Sequence, residues 1–212
     1  INNDDYDVHF VQMNSFGCGP DSFLSDEIKE FFEQAKKSYT FIRVDEINST
    51  GSMRLRLRSL IETIRLGGGR DGVMGSKIIK KTPPFKEEDK KRKILAPFFT
   101  KFASPLIPSI FECLGYEMET LPVSDKESVN VGLTYSNNEI CFPATLVIGD
   151  IIKALKSGKY DLDKTAVIMT QTGGQCRASN YIALIRKAIL NSGIDNVPVV
   201  SFATGGSQDN EQ

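Results

Sequence analysis

Three cysteines of this chain stand where a loop leads into a helix. Cys18 lies in Phe16-Gly17-Cys18-Gly19-Pro20, Cys141 in Glu139-Ile140-Cys141-Phe142-Pro143, and Cys176 in Gly173-Gly174-Gln175-Cys176-Arg177. Unpaired backbone N–H groups and the positive end of the helix dipole favour negative charge at such places. Arg177, directly after Cys176, adds a cation that favours the thiolate further. Thiolates are the soft ligands of zinc and of iron–sulfur clusters. Gly17, Gly19, Gly173 and Gly174 would let a bulky group approach the backbone, where amides can hydrogen-bond its sulfides. Two of the segments also share an order: VQMNSFGCG and VIMTQTGGQC both run strand, methionine, polar pair, glycine, cysteine.

The same loops suit an anion. A glycine turn between strand and helix can present its N–H groups to a phosphate. Gly173-Gly174 lacks the Lys-Ser/Thr ending of a P-loop, and Gly17-Cys18-Gly19 runs into Pro20 and Phe23 rather than completing a dinucleotide fingerprint. A Cys–His nucleophile would have to use His9, the one histidine, which alternates with Val8 and Phe10 as a strand residue does. Cys113, in Ile110-Phe111-Glu112-Cys113-Leu114, reads as a buried thiol acting as a small hydrophobe. On residue chemistry alone, metal and anion binding both stand.

The elements that must position these loops are legible. The chain has 212 residues, 40% apolar and 25% charged, which suits one large or two small globular domains. Its net charge of −1 gives no field that would draw nucleic acid or an anionic membrane. No apolar run approaches the ~20 residues that cross a bilayer, and no signal peptide is visible. Four cysteines without C-x-x-C spacing, in a chain rich in apolar residues, predict reduced thiols and a cytoplasmic setting. The chain opens on Ile1 and closes on the polar stretch Gly205–Gln212, and is expected to be a piece of a longer polypeptide.

Strands are predicted over 8–16, 39–44, 93–99, 118–123, 165–169 and 197–203, from runs of β-formers. Helices are predicted between them. The first, capped by Asp21 or Ser22, carries Phe23, Ile28, Phe31 and Phe32 as its apolar stripe. The second opens at Ser49–Ser52; its Arg54, Arg56 and Arg58 alternate with Leu55 and Leu57 like a strand. Met53, Leu57, Leu60, Ile61 and Ile64 nevertheless share one helical face, with the arginines as a solvated side. Later helices are expected over 104–114, 125–135, 143–157 and 179–191, with Gly115, Gly158 and Gly193 as stops. Residues 67–92, with Gly67-Gly68-Gly69, Pro83-Pro84 and the mixed run KEEDKKRK, read as a flexible linker. The expected organisation is a βαβα segment at 1–66, the linker at 67–92 and an α/β domain at 93–212. The fold class is α/β: doubly wound, mostly parallel sheets with helices on both faces, in two Rossmann-like lobes. Ligands of such sheets sit at the carboxyl ends of the strands.

Three stretches carry a family resemblance: MNSFGCGPDSFLSDEI, VDEINSTGSMRLRLRSLI and NNEICFPATLVIGDIIKALKSGKYDLDKTAVIMTQTGGQCRASNYIALIRKA. They resemble the 2-hydroxyacyl-CoA dehydratase activator-related proteins of anaerobic bacteria, also called CoA-substrate-specific enzyme activases, over most of the chain outside the linker. The matching part is the dehydratase-like region downstream of the ATPase modules, and this chain shows no actin-like ATPase phosphate motif of its own. The resemblance implies a [4Fe-4S] cluster, of a kind lost in air, with Cys18 in FGCGPD, Cys141 in NNEICFP and Cys176 in GGQCRA as the matching thiolates. It implies ATP-driven, low-potential electron transfer or radical dehydration of a 2-hydroxyacyl-CoA, with ATPase modules of the same longer protein and an acyl-CoA as partners. It assigns no catalytic residue, and whether the region itself catalyses is left open. The alternative expectation is a metal-free CoA- or phosphate-binding or domain-docking module.

Overall fold

The computed structural model describes residues 9–14, 20–35, 37–44, 50–66, 81–137, 140–171 and 181–203. The chain is α/β, with parallel pairing in both of its sheets. It divides into two compact units, Ile1–Ile78 and Ile79–Gln212.

In the first unit, β1 (Val11–Asn14) leads through α1 (Pro20–Gln34) to β2 (Thr40–Arg43), and α2 (Thr50–Arg65) follows. β1 and β2 pair in parallel from Val11 opposite Thr40 to Asn14 opposite Arg43. Helix α1 buries Phe32, whose ring lies 5.1 Å from that of Phe10 and 5.9 Å from that of Tyr39. The Tyr39 hydroxyl donates to Gln12 Oε1 at 2.8 Å, tying the start of β2 to β1. Helical periodicity overrides the Leu–Arg alternation in α2, yet none of its described side chains is buried.

The second unit runs β3 (Lys93–Ala96), α3 (Ile107–Cys113), β4 (Met118–Thr120), α4 (Lys126–Tyr135), α5 (Phe142–Lys156), β5 (Thr165–Gln171), α6 (Tyr181–Asn191) and β6 (Val199–Ala203). Its strands lie in the order β4-β3-β5-β6. The chain starts in the middle, steps outward to β4, then returns past β3 to β5 and β6. That reversal is a topological switch point, the place where open parallel sheets leave a crevice. The pleat sorts the side chains. Leu95, Val167, Met169 and Val199 meet α5 and α6 on one face. Ile94, Ala96, Ala166 and Ile168 face the other way, against Ile107 and Phe111 of α3 and against Phe85. β5 is buried through its first five residues, as expected for a central parallel strand.

Helices α4 and α5 pack unusually close. A Cβ on Gly149 would lie 1.8 Å from the Ser128 carbonyl oxygen, and one on Gly132 would lie 2.0 Å from that of Thr145. Asp125 caps α4, accepting hydrogen bonds from the Ser128 amide and hydroxyl. Lys153 of α5 reaches Asp125 Oδ1 at 2.7 Å and, together with Ser128, holds that carboxyl well below the usual aspartate range.

Several boundaries fall short of the expected ones: α3 begins at Ile107, β4 ends at Thr120 and β6 begins at Val199. β3 stops at Ala96 instead of running to Phe99, because Pro97 follows and proline supplies no N–H to a ladder. The Ser104 hydroxyl then accepts the Phe99 and Thr100 amides and turns the chain toward α3. The segment read as the end of a linker, 81–92, packs with the second unit. Thr82 and Asp89 are buried, and Arg92 Nη1 donates to the carbonyls of Leu162, Thr165 and Asn196 at 3.3, 3.2 and 3.5 Å. Residues 67–80 lie outside the described residues. No described helix is long and apolar enough to cross a membrane.

Candidate functional site

Of the predicted thiolates, Cys141 is the one described. It is the N-cap of α5, with extended backbone (φ −63°, ψ 145°) and Phe142 and Pro143 as the first helical residues. Its carbonyl accepts the Ala144 amide at 3.0 Å and the Thr145 amide at 3.3 Å. Its side chain takes no capping hydrogen bond from the helix backbone. The sulfur instead shares a hydrogen bond of 3.2 Å with the Tyr181 hydroxyl. Half-buried, Cys141 packs against the cluster formed by α5, α6 and the sheet.

Tyr181 is the first residue of α6, and it is buried. It had no role in the sequence reading, although it ends the cysteine loop TQTGGQCRASNY. Its place explains the contact. β5 ends at Gln171, the loop with Cys176 returns the chain at Tyr181, and the phenol meets the N-terminus of α5. Cys176 is five residues from Tyr181 along the chain. Cys176 and Arg177 lie outside the described residues, as do Cys18, Gly17, Gly19, Gly173 and Gly174. Among the described residues no group of three or more His, Cys, Asp or Glu side chains is placed to hold a metal ion.

Cys113 corrects the reading of a buried thiol, because it is exposed. It is the last residue of α3, a helix of seven residues with none buried. Leu106, Ile110 and Leu114, one helical turn apart, are exposed as well. The apolar composition there was legible, but its direction was not.

A second feature escaped the sequence. On the sheet face that carries α3, an apolar groove of about 350 Å³ lies over β5 and β6, lined by Phe85, Phe111, Tyr116, Ile168, Val200 and Phe202, with Arg186 at its rim. α5 and α6 cover the opposite face, whereas α3 is too short to cover this one fully. The strand signals for β5 and β6 were present, but the gap between elements was not encoded in any one of them.

No protein-family model matches the chain, and neither a curated protein nor a solved structure is significantly similar to it.

Proposed function

We propose that the chain is an iron–sulfur redox module of a 2-hydroxyacyl-CoA dehydratase activator-related protein, with Cys18, Cys141 and Cys176 as the thiolates of a [4Fe-4S] cluster. The single observation that supports this is the Cys141–Tyr181 contact. It gives one expected ligand a fixed direction at a helix N-terminus. The chemical fit is that of a soft ligand, half-buried and hydrogen-bonded at sulfur, as cluster sulfurs commonly are. When bound, the cluster would supply one-electron transfer at low potential. Cys141 would hold iron, Tyr181 would orient its sulfur, and Pro143 would fix where the helix begins.

Anaerobic reconstitution with iron and sulfide is expected to load about four irons per chain, with broad visible absorption. Cys18→Ser, Cys141→Ser and Cys176→Ser should each abolish stable loading. Equal, low iron uptake by the parent and all three variants would count against the reading.

The apolar groove favours a second reading, metal-free binding of a CoA thioester through its acyl chain. A cavity of about 350 Å³ falls within the size range of small-molecule sites. Calorimetry with acyl-CoA on metal-free protein tests it. Binding that survives replacement of all three cysteines and fails in Ile168→Asp supports this reading over the first.

A further inference from the structure

The first unit has two helices of opposite character that each leave apolar residues in solvent. α1 carries five carboxylates and one lysine; α2 carries four arginines and one glutamate. On α1, Leu24, Glu27 and Phe31 share one face at i, i+3 and i+7, and Leu24 and Phe31 are 46% and 51% exposed. On α2, Leu57 and Ile61 are 40% and 46% exposed. Arg54, Arg58 and Arg65 run along the same side at i, i+4 and i+11. Arg65 pairs with Glu62 at 2.8 Å; Arg54 and Arg58 form no ion pair among the described residues.

The choice of base narrows what α2 meets. Lysine outnumbers arginine in the chain, yet α2 has four arginines and no lysine. Solvation alone would not select arginine. A planar fork that grips carboxylate or phosphate would. Leu57 and Ile61 between the arginines suit a partner with apolar surface of its own, and protein interfaces are enriched in arginine and poor in lysine. A lipid surface is less well matched, because α2 contains no aromatic residue to seat in the headgroup region. The acidic helix with exposed Leu24 and Phe31 has the complementary chemistry. The two helices are also of similar length, 15 and 16 residues, or roughly 22–24 Å.

We propose that the chain self-associates as a two-fold dimer in which α1 of one copy packs on α2 of the other, and reciprocally. Such an isologous contact uses the complementary pair twice. This does not depend on the cluster reading.

Sedimentation velocity on the whole chain tests it. The parent is expected to dimerise, and to do so more weakly as salt screens the charges. Glu27→Arg/Glu30→Arg and Arg54→Glu/Arg58→Glu should each weaken dimerisation by about tenfold or more while keeping helical content. Mixing the two variants should restore a dimer, since each then offers the other the missing sign. All four substitutions in one chain should restore it too. A parent that stays monomeric at every concentration overturns the proposal. So do a dimer indifferent to the reversals, a mixture that stays monomeric, and a ladder of larger head-to-tail species. A monomer that binds phosphatidylserine vesicles through Arg54 and Arg58 would assign α2 to lipid instead.

Discussion

Cys141 and Tyr181 stand 40 residues apart in the chain, with Sγ and Oη 3.2 Å apart in the fold. One is the N-cap of α5 and the other the first residue of α6, so two helix N-termini meet through this pair. Tyr181→Phe keeps the ring in its buried place and removes only the hydroxyl. Alkylation of Cys141 should then change in rate by about fivefold, the effect of losing one hydrogen bond of order 1 kcal/mol at the reacting sulfur. Peptide-resolved mass spectrometry follows it, with exposed Cys113 as the internal reference. Unchanged Cys141 rates would show that the contact is packing only.

The close approach of α4 and α5 makes a second expectation. Gly149→Ala and Gly132→Ala drive a methyl into backbone carbonyls, which have no rotamer to yield. Each should cost about 2–3 kcal/mol or more, at the upper end of overpacking effects. Gly158→Ala, at φ +74° with open space around it, should cost only about 1 kcal/mol from backbone strain. Chemical denaturation distinguishes them; a Gly158 variant as damaged as the Gly149 variant would contradict the helix contact.

Local chemistry was well written in the sequence. Gly115, Gly158 and Gly193 were legible as helix stops, and all three adopt positive φ. The helical state of α2 was legible despite its alternating arginines. Relationships between elements were not. Tyr181 reads as one more apolar helix residue until α5 is placed against it, and the exposure of Cys113 depends on how short α3 is. The packing of 81–92 was hidden by its charge. Nothing in KEEDKKRK says that Asp89 turns inward and that Arg92 reaches carbonyls more than 70 residues away.

Arg92 therefore carries a third expectation. It ties Asp89 to the starts of β5 and β6, with Nε 2.6 Å from Asp89 Oδ1 and Nη1 on three backbone carbonyls. Arg92→Met leaves a buried carboxylate and those carbonyls without their donor. A loss of about 2–3 kcal/mol is expected, somewhat below that of a fully buried ion pair because both side chains keep some solvent contact. Lys90→Met, which removes an exposed neighbouring pair, should leave Tm within error. Equal effects in the two variants would mean that Arg92 is only a surface charge.

Acid should act through the same kind of carboxylate. Burial raises the Asp89 carboxyl, but the Lys86 amide and the Arg92 guanidinium outweigh it and hold the group below its ordinary range. The Lys159 ammonium, with help from the Tyr160 hydroxyl and Lys93 and against burial, lowers Glu119. A carboxyl depressed in the folded state contributes stability that is complete above its unfolded value and is lost as pH falls through its folded value. Lys93, raised chiefly by Glu117, and Lys159, raised chiefly by Glu119, stay charged throughout that window. Stability should hold from pH 7 to about 5 and decline below about pH 4.5, in the ordinary carboxylate range and beneath it. Glu119→Gln should lower Tm at pH 7, yet draw closer to the parent as acid puts a proton on the parent's own carboxyl. A Glu119→Gln profile parallel to the parent's at every pH would show that this carboxylate is not linked to folding.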